Sequence, residues 1–190
     1  LFGASGGQFY VNGEAGDRFA VRNSGALAVV EGVGDFFCEY MTSGTILNLG
    51  SFGKGFCNGM SGGNTYQYDP NDLLSKSYSE DSVIVKSLNK DDEESLAHES
   101  IILTMLSQHA SRTGSRIAKH LIDDWPTAKR NFKYATPLAL YKTQTIKGIL
   151  NSMEEKTIVE ELSFSIAEEE LNILADAYME SKPLLNGNFP

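Results

Sequence analysis

The sequence predicts a parallel β-helix, a solenoid of 18–19-residue coils, followed by a capping helical segment. Three observations carry that prediction. Most glycines lie before Asp69, whereas the remainder is rich in Leu, Ile, Lys and Glu. Short alternations of aromatic and β-branched residues dominate the first part, and helical periodicity dominates the second. The first part also repeats itself: Gly13, Gly32 and Gly50 lie 19 and 18 residues apart, and Gly16, Gly34 and Gly53 lie 18 and 19 apart. The phase persists through Phe19, Phe37 and Phe56, through Ala20, Cys38 and Cys57, through Ser24, Thr42 and Ser61, and through Met41 and Met60. A short fixed period marks a solenoid, because one coil cannot bury its own apolar face and must stack on its neighbours.

Each coil is expected to carry short strands, at residues 9–11, 28–30 and 46–49 on one face and at residues 19–22, 36–40 and 56–57 on another. Coils about 4.8 Å apart place equivalent side chains in ladders along the axis. Glycine marks corners, where a Cβ would hinder close backbone approach. The Gly32-Val33-Gly34 stretch is read as such a corner and not as a phosphate cradle. A dinucleotide fingerprint needs a following helix, and Phe36-Phe37-Cys38-Glu39-Tyr40 is β-like. The glycine-rich residues 3–7 fail the same test.

The chain is expected to divide into β-helix coils with terminal strands over 1–88, a helical hairpin cap over 89–137 and a helical C-terminal extension over 138–190. Acidic residues 91–94 suit the positive end of a helix expected over 92–110, with Leu96, Leu103, Leu106 and Ala110 as its apolar stripe. Gly114 ends that helix and Ser115 opens the next, whose inner face is Ile117, Ala118, Leu121, Ile122 and Trp125, with Pro126 as the stop. The pair is expected to dock near Tyr66 and Tyr68 and to cover the last coil's unpaired edge. A weaker helix follows over 138–150. Ser165-Ile166-Ala167-Glu168 forms a capping box for another, bearing Leu171, Leu174, Ala175 and Tyr178, and residues 186–190 form a mobile end.

With 25 acidic and 16 basic residues the net charge is −9, and no lysine–arginine cluster offers a nucleic acid or an anionic membrane a footprint. Apolar runs fall far short of the roughly 20 residues that span a bilayer, and the start lacks a signal-peptide pattern, so a cytoplasmic protein is expected. Two cysteines are too few for a disulfide scaffold. Beginning at Leu1 inside a glycine pattern, the chain reads as a piece of something longer.

"NGEAGDRFAVRNSGALAVVEGVGDFFCEYMTSG" and "GKGFCNGMSGG" within residues 12–63 resemble the C-terminal glycine-repeat, or GXGXG, domain of the large (alpha) subunit of glutamate synthase. "HASRTGSRIAKHLIDDW" at 109–125 and "NFKYATP" at 131–137 extend the resemblance, which covers residues 1–137 and leaves the remainder to physical reading alone. The resemblance implies a right-handed β-helix with further coils before Leu1. It also implies a parent oxidoreductase, of glutamate biosynthesis and nitrogen assimilation, that turns glutamine and 2-oxoglutarate into glutamate. Ammonia there passes from an amidotransferase domain to a flavin site, and this domain braces the others without itself holding the nucleophile, the FMN or the iron–sulfur cluster. Partners are then the other domains or subunits of glutamate synthase, with a homo-oligomer open. The alternative is an independent non-catalytic subunit docking on a partner enzyme, similar to a formylmethanofuran dehydrogenase subunit. Neither the electron donor, nicotinamide or ferredoxin, nor the oligomeric state is written in the sequence.

No catalytic, cofactor-binding or metal-ligating residue is assigned. Cys38 and Cys57 invite a metal or redox reading, but Ala20 shares their column, so they are read as small apolar fillers of an interior ladder; two thiols alone make no zinc site. His98, His109 and His120 recur every eleven residues, about 16 Å apart along a helix, too far to share one ion. They are read as solvent-facing or capping residues, with His109 bracing the Thr113–Ser115 turn. Arg18, Arg22, Glu31 and Glu39 are read as an ion-pair network across coils or a domain interface, without a nucleophile or histidine beside them for acid–base chemistry. Arg22, Asn23 and Ser24 are read as capping a turn or touching another domain.

Overall fold

The computed structural model describes residues 1–88 and 92–152. Residues Leu1–Lys142 form one compact unit and a second begins at Thr143. Strands β1 (Gln8–Tyr10), β2 (Ser24–Gly32), β3 (Ser43–Ser51) and β4 (Asn64–Tyr68) stack in parallel. The repeat is therefore a solenoid. Phe9, Ala28, Ile46 and Thr65 stand in register, offset by 19, 18 and 19 residues in the order of the coils. The mixed spacing is absorbed by irregularities in the β2–β3 ladder, so that Gly32 pairs with Ser51 and Ser24 with Ser43, one residue off the columns read from sequence. Gly50 is a corner of close approach: a Cβ there would lie 1.9 Å from the Glu31 carbonyl oxygen.

Residues 19–22, 36–40 and 56–57, expected as strands, form turns instead. Their backbone takes positive φ at every second residue, at Arg18, Ala20 and Arg22, at Phe36, Cys38 and Tyr40, and at Gly55, Cys57 and Gly59. Amides between coils still pair, alternately toward each neighbour: Arg18 N–H donates to Asp35 O (2.7 Å) and Tyr40 N–H to Asn58 O (2.8 Å), whereas Cys38 N–H donates back to Phe19 O (3.0 Å). Left-handed backbone costs about 1–2 kcal/mol at a non-glycine residue. Packing and this ladder offset that cost, which is why an aromatic-rich stretch that reads as strand is not one.

The solenoid interior holds Ala20, Cys38 and Cys57, Met41 and Met60, and a phenylalanine stack with ring centroids 6.3 Å apart for Phe19 and Phe37 and 5.4 Å for Phe37 and Phe56. After β4 the chain bends at Asp69, whose carboxylate accepts the Leu73 and Leu74 amides, each at 2.9 Å, and a 3₁₀ turn at Leu74–Lys76 follows. Leu74 and then Val83 of β5 (Val83–Ser87) join the interior core. The free edge of β4 is covered by β6 (Phe132–Pro137), antiparallel to it, with β5 outside β6. That corrects the expectation that the helical hairpin covers the edge: a strand satisfies another strand's amides directly, and a helix cannot.

The helices between β5 and β6 lie on the outer face of the sheet, where Val29, Leu47, Leu49 and Tyr66 pack with Ile102, Met105, Leu106, Ala118 and Leu121. Helix α1 (Glu93–Thr113) is N-capped by Asp92, which accepts the Ser95 amide, and ends at left-handed Gly114. Its buried face is Ser95, Ile102, Met105, Leu106 and His109, while Leu96 is 52 % exposed, so the stripe is rotated from the expected one. Helix α2 (Arg116–Asp123) opens at Ser115 as expected, its hydroxyl accepting the Ala118 amide. Ala118 and Leu121 are buried, but Ile117 is 41 % exposed. Pro126 does not stop a helix but begins one, in the first turn of α3 (Trp125–Ala128), where a missing amide hydrogen is harmless. Helix α4 spans Leu138–Ser152. The expected capping box at 165–168 and the end at 186–190 lie outside the described residues, as do residues 89–91.

Candidate functional site

The polar chemistry of the molecule concentrates between the outer face of the sheet and α1. Glu31, on β2, turns away from the interior and accepts the Ser115 hydroxyl at 2.5 Å and His109 Nε2 at 3.2 Å. The His109 ring is fully buried and stacks on Tyr10, which donates its hydroxyl to Gln108. With the proton on Nε2, Nδ1 offers a lone pair that has no partner among the described residues. One carboxylate thus ties the solenoid to the end of α1 and the start of α2. The arrangement does not make a nucleophile. Ser115 gives its proton to a carboxylate already bonded to His109 and to no free imidazole nitrogen, so the serine–base geometry of acyl transfer is missing.

A second tie lies three turns earlier on α1. His98 Nδ1 lies 2.8 Å from the Tyr66 hydroxyl, and the His98 ring is 4.0 Å from that of Tyr134. Burial, aided by the Lys86 charge, holds His98 below its ordinary range against the opposing pull of Glu94. Burial likewise pushes the phenols of Tyr66 and Tyr134 above theirs. Tyr66 is therefore the donor and His98 the acceptor. Lys86 pairs with Glu94 at 2.9 Å and sits over the Tyr141 ring at 4.7 Å. Farther along, Glu99 accepts Trp125 Nε1 at 2.6 Å and Lys129 Nζ at 3.4 Å.

Of the residues singled out in the sequence, His98 and His109 share the sheet-facing side of α1, and each has a buried or half-buried partner instead of facing solvent; His120 is exposed on α2. Of the four charges expected to pair across coils or a domain interface, none forms an ion pair with a residue of the next coil. Glu31 bonds to His109 and Ser115, Arg18 lies 5.9 Å from the centroid of the Phe36 ring, and Arg22 and Glu39 form no ion pair among the described residues. An acid directed at a helix was indistinguishable by sequence from one directed at the next coil. Asn23 caps a turn as expected, accepting the Ala26 amide at 3.2 Å and donating to Ala26 O and Ser43 O.

Sequence reading missed two groups that the period itself signals. Asp17 and Asp35, 18 residues apart, accept the next coil's backbone amides, Asp35 N–H at 2.9 Å and Lys54 N–H at 3.0 Å. Asn48 and Gln67, 19 apart, join inside the sheet at 2.7 Å, and Gln67 holds the Gly50 and Tyr68 carbonyls, each at 2.8 Å.

Cys38 and Cys57 are free and buried, and burial pushes the Cys38 thiol well above its ordinary range, with the neighbouring Cys57 adding to the shift. An iron–sulfur cluster, which the resemblance implies for a parent enzyme, needs three or four converging thiolates, and these two interior thiols do not fit it. Nor do the corners fit a flavin phosphate, since the space above Gly34 is filled by Asp17 Oδ1, 2.0 Å from where a Cβ would stand. Among the described residues no group of three or more His, Cys, Asp or Glu could hold a metal ion, and no helix is long and apolar enough to cross a membrane. A shallow recess of about 280 Å³ lies between Gln8, Leu27 and α1, walled by Ile101, Met105 and Gln108.

The family model described as GXGXG motif matches residues 1–138, ending one residue beyond β6. The chain is 38 % identical over 157 residues to the glutamate synthase (NADPH) large chain of Bacillus subtilis (strain 168), covering 82 % of this chain and 10 % of that one. It is 39 % identical over 137 residues to the glutamate synthase (NADH) of Schizosaccharomyces pombe, covering 72 % and 6 %. To the ferredoxin-dependent glutamate synthase of Antithamnion sp. it is 41 % identical over 140 residues, covering 72 % and 9 %. The chain thus spans a tenth or less of the length of these curated relatives.

Proposed function

This chain belongs to the GXGXG motif family, and from that premise we propose that it is the structural β-helix domain of a glutamate synthase large chain, holding an amidotransferase domain and an FMN-bearing synthase domain in fixed relation without itself catalysing a step. The observation that carries the reading is where its polar groups are spent. Asp17 and Asp35 bond the next coil, Asn48 and Gln67 bond within the sheet, and Glu31 and His98 bond the helices to it. A body cross-tied in this way keeps distances between attached domains, and fixed geometry is what transfer of ammonia between two reaction centres requires. Glutamine then yields ammonia in one domain, 2-oxoglutarate receives it in another, and flavin and iron–sulfur chemistry stay with those neighbours, in the cytoplasm.

The test is stoichiometric. In the full-length enzyme, Gly53→Ala forces a Cβ to within 2.8 Å of the Asp35 backbone and so loosens one coil. Glutaminase and ammonia-dependent synthase activities are expected to persist while glutamine hydrolysed exceeds glutamate formed through the coupled route. Loss of glutaminase or of ammonia-dependent synthase activity in a folded variant, or one glutamine still hydrolysed per coupled turnover, would end the proposal.

A further inference from the structure

Strand β5 is an outer edge of the six-stranded sheet, paired on one side only. Its ladder to β6 runs unbroken from Val83 opposite Pro137 to Ser87 opposite Lys133. Alternate residues serve that ladder. Leu138 N–H donates to Ser82 O at 3.0 Å and Leu88 N–H to Phe132 O at 3.2 Å, so residues 82, 84, 86 and 88 turn their backbone groups toward β6, and Val83, Val85 and Ser87 turn theirs outward. The outward Val83 amide donates to Ser79 O at 3.2 Å. The Val83 carbonyl and both backbone groups of Val85 and Ser87 have no partner among the described residues. Soluble proteins guard such an edge with a proline, a bulge or a free charge. None of these stands on β5. Its one charge, Lys86, is engaged by Glu94 at 2.9 Å and by the Tyr141 ring, and Val83, Ile84 and Val85 are β-branched strand formers.

We propose that β5 is a homodimer interface, pairing antiparallel with the same strand of a second copy about a two-fold axis at Val85. The strand's own chemistry selects that occupant and that register. With the axis at Val85, the outward groups meet: Val85 N–H donates to the carbonyl of the partner's Val85 and Ser87 N–H to the carbonyl of the partner's Val83, and the symmetry repeats both bonds. Side chains fit as well, because Lys86 falls opposite the partner's Ile84 and lays its aliphatic stem along it. An axis at Lys86 would give as many bonds but set two lysines face to face, which opposes pairing. A parallel pairing has no two-fold axis and does not close. Five residues make a small interface, so the dimer is weak and forms in the micromolar range.

The experiment is sedimentation velocity of the 190-residue chain across a concentration series. Expected is a monomer of 20.8 kDa that gives way to twice that mass and to nothing larger. Val85→Pro removes an outward amide that β6 does not use, a change an edge strand tolerates, and is expected to weaken the dimer more than about tenfold with the circular dichroism of wild type. Ile84 belongs to neither core cluster and reports the register. Ile84→Lys, facing the partner's Lys86, weakens the dimer in a way that added salt relieves, whereas Ile84→Glu does not weaken it. Hydrogen exchange of wild type needs no variant: the Val85 and Ser87 amides are protected where the dimer forms and lose protection on dilution. A chain that stays monomeric at every concentration, a dimer that folded Val85→Pro leaves unchanged, equal effects of Ile84→Lys and Ile84→Glu, or Val85 exchange indifferent to dilution each overturns the proposal.

Discussion

Gly16, Gly34 and Gly53 share one column of the repeat but not one environment. A Cβ at Gly53 would stand 2.1 Å from Asp35 Oδ1 and 2.8 Å from the Asp35 amide nitrogen, whereas at Gly16 it would meet nothing within 4 Å. Gly53→Ala is therefore expected to cost about 1–3 kcal/mol in chemical denaturation, and Gly16→Ala no more than about 0.5 kcal/mol. Equal effects would show that the column reflects backbone conformation and not the coil beneath. Ser115 concentrates two tasks, capping α2 and bonding Glu31. Ser115→Ala should lower unfolding free energy by about 1–2 kcal/mol, and Ser115→Asp, which caps equally well, should remain destabilised because its carboxylate faces that of Glu31. Individual glycines were legible in the sequence as corners. The acids that exploit those corners, Asp17 and Asp35, were not, because aspartate beside glycine reads as an ordinary turn until the next coil supplies the amide.

Between elements, misreadings share one physical cause. Histidine counts as polar in a helical stripe, yet His98 and His109 are the residues that point α1 at the sheet, so the apolar face lay rotated from the leucines. His98 gives that contact a pH dependence. Its folded-state value lies below the ordinary 6.5, so on acidification the unfolded chain binds a proton first. Stability accordingly falls as pH drops through 6.5 toward the folded-state value and levels off below it. Wild type minus His98→Gln in melting temperature should decrease across that window; a difference that rises, or stays flat, contradicts the Tyr66–His98 assignment. Strand β6 was legible only as part of a resemblance, since six residues in a helical region carry no periodicity of their own, yet it closes the β4 edge. A chain ending at Ala128 should associate through that edge and scatter light at concentrations where the full chain stays monodisperse.

At the scale of the molecule, the period of 18 to 19 residues was enough to establish stacked coils, because register is a property that sequence repeats record directly. The turn face escaped it. Nothing in Phe36-Phe37-Cys38-Glu39-Tyr40 announces alternating positive φ, which exists only because the coils above and below accept its amides. That face also decides whether the solenoid is stiff. A rigid spacer requires the turns to open only with the strands, whereas a flexible one would let them open alone. Native-state hydrogen exchange at Cys38, Tyr40 and Cys57, compared with β3 amides from Ile46 to Asn48, measures this directly. The account predicts one shared opening free energy for both faces. Turn amides that exchange by local opening while the strands stay protected would contradict it.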